Sequence, residues 1–249
     1  MDLDFGIHNN LSNETEELAR RLKTGFLEVM PVFVRHLPDG YKEKELWEKM
    51  RCRTYKFSPE EKHNEFYKWE RGFNYICLNS LLLQKDFYNA FEHLCHSLVH
   101  SFSFFTPSSL ELGDVMEETN CEVVGYRALR FLLRNDGEQE AIVERTKRRS
   151  PKRYTEALEI GESLEKRESN ILKNLNSLML KLERNNLVSN LERLFRKENK
   201  IRAKTEEKVS KSFLKACKEA GITKEELMNL DGEFKKNSPY LIEEDFLKI

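Results

Sequence analysis

The stretch Phe91-Glu92-His93-Leu94-Cys95-His96-Ser97-Leu98-Val99-His100 holds three of the chain's six histidines. At about 100° per residue the three imidazoles fall within an arc of about 60° on one side of a helix. Phe87, Phe91, Leu94 and Leu98 mark a separate apolar stripe that would face a core. His96 and His100 stand one turn apart, the spacing at which two rings converge on a single metal ion. His93 and His100 are separated by about 10 Å along the axis, too far to share an ion. His93 therefore reads as a group beside the ion, or as a polar edge residue. In the usual catalytic pattern a glutamate follows the first histidine of such a pair. Here that position is Ser97, whose hydroxyl does not take a proton from water near neutral pH unaided. Glu92, one turn before His96, is a candidate substitute base, and Glu117 and His93 are others.

Three runs upstream have strand character: Arg51 to Phe57, then Glu65 to Trp69 and Phe73 to Leu78 around Glu70-Arg71-Gly72. Downstream, Val115 to Leu133 is an apolar helix ended by Asn135-Asp136-Gly137. It carries Glu118, 18 residues after His100, and Glu122 one turn later on the same face. A carboxylate from a second helix, backed by another acid, would complete an open zinc site with one position left for water. The alternative is a solvated helix face.

Before the strands, Asn13 and Glu16 have capping-box spacing and open a helix with Leu18, Leu22, Phe26 and Phe33 on its apolar side. Pro31 should kink it and Pro38-Asp39-Gly40 should end it. Composition changes near residue 140. Both tryptophans, Trp47 and Trp69, precede that point, and Lys, Arg, Glu, Asn and Leu dominate after it. The expected division is a core domain over 1–165 and a helical extension over 166–249. In the extension, Leu172, Leu175, Met179 and Leu182 follow three-four spacing, and Leu187, Leu191, Leu194 and Ile201 resume it after Asn185-Asn186. This predicts an antiparallel hairpin. Gly221 then stops a helix, and Thr223 with Glu226 caps the last one.

A formal net charge of −1 gives no global pull toward nucleic acid or anionic membranes. The densest basic run, Arg145 to Arg153, is interleaved with acids nearby and lacks alternating aromatics, which favours a solvated surface over nucleic-acid contact. Five scattered cysteines without Cys-x-x-Cys spacing read as reduced thiols, mostly core fillers. With no apolar run near the ~20 residues of a membrane span and no secretory leader pattern, the expectation is a cytoplasmic chain. The leucine spine of the extension points to a protein or peptide partner, or to self-association through the C-terminal helices.

The run from Phe73 to Asn79, with Phe87, Phe91 and His96-Ser97-Leu98-Val99-His100-Ser101-Phe102, resembles the strand and active-site helix of zincin metallopeptidases. More narrowly, Glu118-Thr119-Asn120-Cys121-Glu122 resembles the downstream acidic motif of the gluzincins. The similarity covers about residues 45–165. It implies an α+β, predominantly helical chain: a zincin-like core with a small sheet and an active-site helix, then the helical hairpin. It also implies zinc held by His96, His100 and Glu118, with Glu122 orienting a histidine and Tyr154 as a weak candidate for a hydrogen-bond donor. The departure at Ser97 implies an inactive or atypical relative. The competing expectation is a non-enzymatic helical interaction protein whose histidines are merely packed.

Overall fold

In the computed structural model, residues 12–37, 82–100, 112–177 and 207–236 are described with their side chains. The backbone alone is described for 5–6, 53–58, 65–70, 73–81, 101–102, 198–206 and 237. Helix α1 spans Asn13–Glu28 and is capped one residue earlier than the Asn13/Glu16 spacing predicts. Ser12 Oγ accepts the Thr15 N–H at 3.3 Å, and Glu14 and Glu16 add negative charge to the first turn. Pro31 does not kink this helix. It sits in the first turn of a new one, α2 (Met30–His36), where a missing N–H costs nothing.

Further along come α3 (Ser80–Lys85), α4 (Phe87–Phe102), α5 (Gly113–Leu132), α6 (Gln139–Arg149) and α7 (Lys152–Arg167). A helical stretch over 171–177 follows, then α8 (Glu198–Glu219) and α9 (Lys224–Asn237). The capping box at Thr223 forms as predicted: Thr223 N–H donates to Glu226 Oε2 at 2.7 Å and Glu226 N–H donates to Thr223 Oγ1 at 3.2 Å.

Helix α5 is the axis of the molecule. Fourteen of its twenty residues are buried, so it behaves as an interior helix rather than an amphipathic one. Helix α4 packs along one side and α7 along another, with α2 and α9 adding contacts. Two glycines permit the close approach. A methyl at Gly161 of α7 would drive into Val123 Cγ2 of α5, and one at Gly125 of α5 would sit 2.6 Å from Glu92 Oε1 of α4. The N-terminus of α5 follows Leu112, whose left-handed φ of 64° supplies no side-chain cap. Its cap comes from α9, where Asp231 Oδ1 accepts the Val115 N–H at 3.1 Å. Val209, Phe213, Cys217, Leu227, Leu230 and Phe234 lie in the same core cluster as Leu94 and Tyr126, so α8 and α9 complete the core around α5. The leucines from Leu187 to Leu194 and the Asn185-Asn186 turn lie outside the described residues.

These packing relations correct the expected fold class. Of the residues described with side chains, 86% are helical and none is in a strand. Extended backbone over Phe5–Gly6, Arg53–Ser58, Glu65–Glu70 and Phe73–Asn79 pairs in the order β1-β2-β4-β3, with β2 parallel and β3 antiparallel to β4. The residues described with side chains form a mostly helical body, which corrects the expected α+β zincin-like core with its small sheet. The physical reason is that the apolar stripe of α4 is met chiefly by α5, itself surrounded by helices. No helix among the described residues is long and apolar enough to cross a membrane.

Candidate metal centre

Two adjacent helices build the site. Helix α4 presents His96 and His100 one turn apart, and the facing side of α5 presents Glu117, Glu118, Cys121 and Glu122. Burial makes these acids unusual. The Glu122 side chain is 4% exposed, Glu117 11% and Glu118 14%, so the solvated-face reading of Glu118 and Glu122 does not describe them. Carboxylates so enclosed need a cationic counterpart, and the imidazoles of α4 stand opposite them.

The geometry separates inner from outer contacts. His96 Nε2 and His100 Nε2 are 2.9 Å apart, and Glu118 Oε2 lies 3.2 Å from the first and 3.5 Å from the second. Each ring turns its other nitrogen to a carboxylate: His96 Nδ1 meets Glu122 Oε1 at 2.9 Å, and His100 Nδ1 meets Glu117 Oε1 at 2.9 Å. With both Nδ1–H groups donating outward, the two Nε2 lone pairs and a carboxylate oxygen converge on one point. Three acceptors at such distances repel one another unless a cation lies between them.

A metal ion fits that requirement. Three tetrahedral ligands at 2.0–2.1 Å from zinc lie about 3.3 Å from one another, which the three observed separations bracket. The circle through the three atoms has a radius of about 1.9 Å, within reach of such bonds. Glu118 Oε2 is, moreover, buried with no hydrogen-bond partner. In a metal-free centre a proton plays the cation's part. Burial opposes charge on His96, yet its contacts with Glu118 and Glu122 hold its pKa well above the usual histidine value. Burial likewise opposes ionisation of Glu118, but the charge of His100 and the contacts of both rings bring its pKa below the carboxylate range. For Glu122 burial prevails, and its pKa is raised.

Of the residues singled out from sequence, His96, His100, Glu118 and Glu122 meet at this centre. Tyr154 of α7 reaches it as a wall: its ring stands edge-on to His96 with centroids 5.6 Å apart, backed by Phe234 of α9 at 5.4 Å. His93 is half-buried and acts on Glu122 through its charge rather than joining the donor set. Ser97 and Glu92 are both buried on α4. Glu92 belongs to a second grouping with His96 and Glu122, one donor atom of each lying within 4.8 Å of the others.

Cys121 is the participant that sequence reading passed over as core filler. Its sulfur and one nitrogen each of His96 and His100 lie within 4.8 Å of one another. Glu117, considered only as a stand-in base, is the partner of His100. The signal for both was their helix: residues 117, 118, 121 and 122 share one face at three-four spacing in an otherwise apolar segment.

The basic run Arg145 to Arg153 spends charge inside the fold, with Arg149 paired to the buried Asp86 and Lys147 to Glu144 and Glu162 at 3.6 Å. No protein-family model, curated protein or solved structure matches this chain.

Proposed function

We propose that this chain is a metal-binding protein, holding one divalent ion of the zinc class between α4 and α5 through His96, His100 and Glu118. The observation that carries this reading is the convergence of two Nε2 atoms and one buried carboxylate oxygen within 3.5 Å of each other. Glu122 and Glu117 fix the tautomer and aim of the two rings, the role such carboxylates play behind metal-bound histidines. This is the two-histidine, one-glutamate donor set of the gluzincin resemblance without its general base. Ser97 occupies the base's position, while Glu117 and Glu122 are committed to ring nitrogens. The ion accordingly organises the junction of two helices in an inactive or atypical relative of that donor set.

Metal analysis of the purified full chain tests this. Wild type should carry about one equivalent of zinc, and the His96→Ala/His100→Ala double variant should carry almost none. Glu118→Gln, which keeps the side chain's size, should weaken retention on a chelating column. Equal, negligible metal in wild type and variants, including after dialysis against zinc, would overturn the reading.

A further inference from the structure

We infer that Cys121 supplies a thiolate as the fourth ligand, closing the shell around the ion; this rests on the metal-binding reading above. Three observations lead there. Cys121 is three residues after Glu118 on α5, so both side chains leave the helix on the face turned toward the histidines. Its sulfur and one nitrogen from each of the two rings fall within 4.8 Å of one another. A tetrahedral zinc with a 2.3 Å bond to sulfur and 2.0–2.1 Å bonds to nitrogen spaces those donors by about 3.6 Å, inside that limit. Cys121 is also fully buried and not part of a disulfide.

A divalent ion bound by two neutral imidazoles and one carboxylate carries one net positive charge within its ligand shell, with the Glu117 and Glu122 carboxylates placed behind the rings. A thiolate brings the four-ligand unit to neutrality. On ion entry the Cys121 S–H bond breaks, its proton leaves to solvent, and the sulfur lone pair forms the metal–sulfur bond. Cys95 offers no such path. It precedes His96 directly, about 100° around α4 from that ring, and its sulfur does not group with the two histidines as that of Cys121 does. A completed set of two nitrogens, one oxygen and one sulfur leaves no open position for water. It is the arrangement of a structural site and favours zinc-class ions over magnesium or calcium.

Cobalt(II) loading of the full chain separates this inference from the reading beneath it. Wild type should bind cobalt with intense visible bands of tetrahedral geometry and a near-ultraviolet sulfur-to-cobalt charge-transfer band. Cys121→Ser should still bind cobalt, at least about tenfold more weakly, with the charge-transfer band gone. Cys95→Ser should keep the band, and far-ultraviolet circular dichroism should report both variants folded. Cobalt binding without a charge-transfer band in wild type, or a band that survives in Cys121→Ser, overturns the thiolate assignment and leaves the two-histidine, one-glutamate site standing. If Cys121→Ser does not fold, the sulfur K-edge absorption of cobalt-loaded wild type decides: no cobalt–sulfur covalency overturns the assignment. Absence of any cobalt binding by wild type overturns both.

Discussion

His96 and His36 are the same side chain placed in opposite fields. His96 faces Glu118 and Glu122, and its proton affinity is held well above the ordinary value. At the end of α2, His36 is penalised first by burial and then by Arg127, Arg35 and Lys173, which push its pKa from 6.5 to about 3. Its Nε2 accepts a hydrogen bond from Arg127 at 2.8 Å, while the other arm of that guanidinium pairs with Glu165. One imidazole sits where a cation is demanded and the other where a cation is refused. A histidine's chemistry here is set by what the adjoining helix turns toward it. The helix in question is the same for both: α5 brings the acids to His96 and Arg127 to His36.

The largest effect is expected when the cation is supplied. Zinc at a thousandfold above its dissociation constant adds about 4 kcal/mol of stability, which in a chain of this size is a rise in Tm of about 10 °C. Thermal melts of stripped and zinc-loaded protein read this directly, and coincident curves would contradict it. The His36 side is tested by acid. The unfolded chain takes up a proton near pH 6.5 that the folded His36 refuses until about pH 3. Its contribution is therefore complete above pH 6.5 and drains away as pH falls toward 3. In zinc-free protein, urea melts should show wild type losing up to about 1.4 kcal/mol per pH unit in that window relative to His36→Gln. Parallel pH profiles would remove the contrast.

Spacing is the next lever. Gly125→Ala places a methyl against Glu92 Oε1 and 3.5 Å from the His96 backbone nitrogen. It should cost about 1 to 3 kcal/mol in chemical denaturation and loosen zinc binding as α4 and α5 separate. Gly137→Ala, with nothing within 4 Å, is the near-neutral control. Glu122→Gln keeps shape but removes the charge behind His96, and zinc affinity measured by competition with a chromophoric chelator should fall about 10- to 100-fold. Glu207→Gln, which removes an exposed partner of Lys211 on α8, should leave zinc affinity where it was.

The site was more legible than the fold around it. His96 and His100 announce themselves because a four-residue spacing on a helix fixes ring proximity without tertiary information. Glu118 and Glu122 were identifiable but ambiguous, since a carboxylate on a helix looks the same whether it meets water or an imidazole. Cys121 and Glu117 share the face of Glu118 and Glu122, but which of the four meets which ring needs the register of α5 against α4, fixed by the close approach at Gly125. Helix ends with their own chemistry, such as Thr223 with Glu226, read correctly. Pro31 was misjudged because a proline in a first turn and one in mid-helix differ only in where the neighbouring helix stops. The α+β zincin-like core failed for a different reason. Apolar stripes on α4 do not say whether a sheet or another helix will cover them.

The bond from the Val115 amide to Asp231 spans 116 residues of chain. During synthesis α5 leaves the ribosome long before α9, so the first turn of the acid-bearing helix waits, uncapped, for nearly half the polypeptide to arrive. A nascent chain halted before residue 231 therefore presents the acid-bearing helix without the side-chain cap on its Val115 amide.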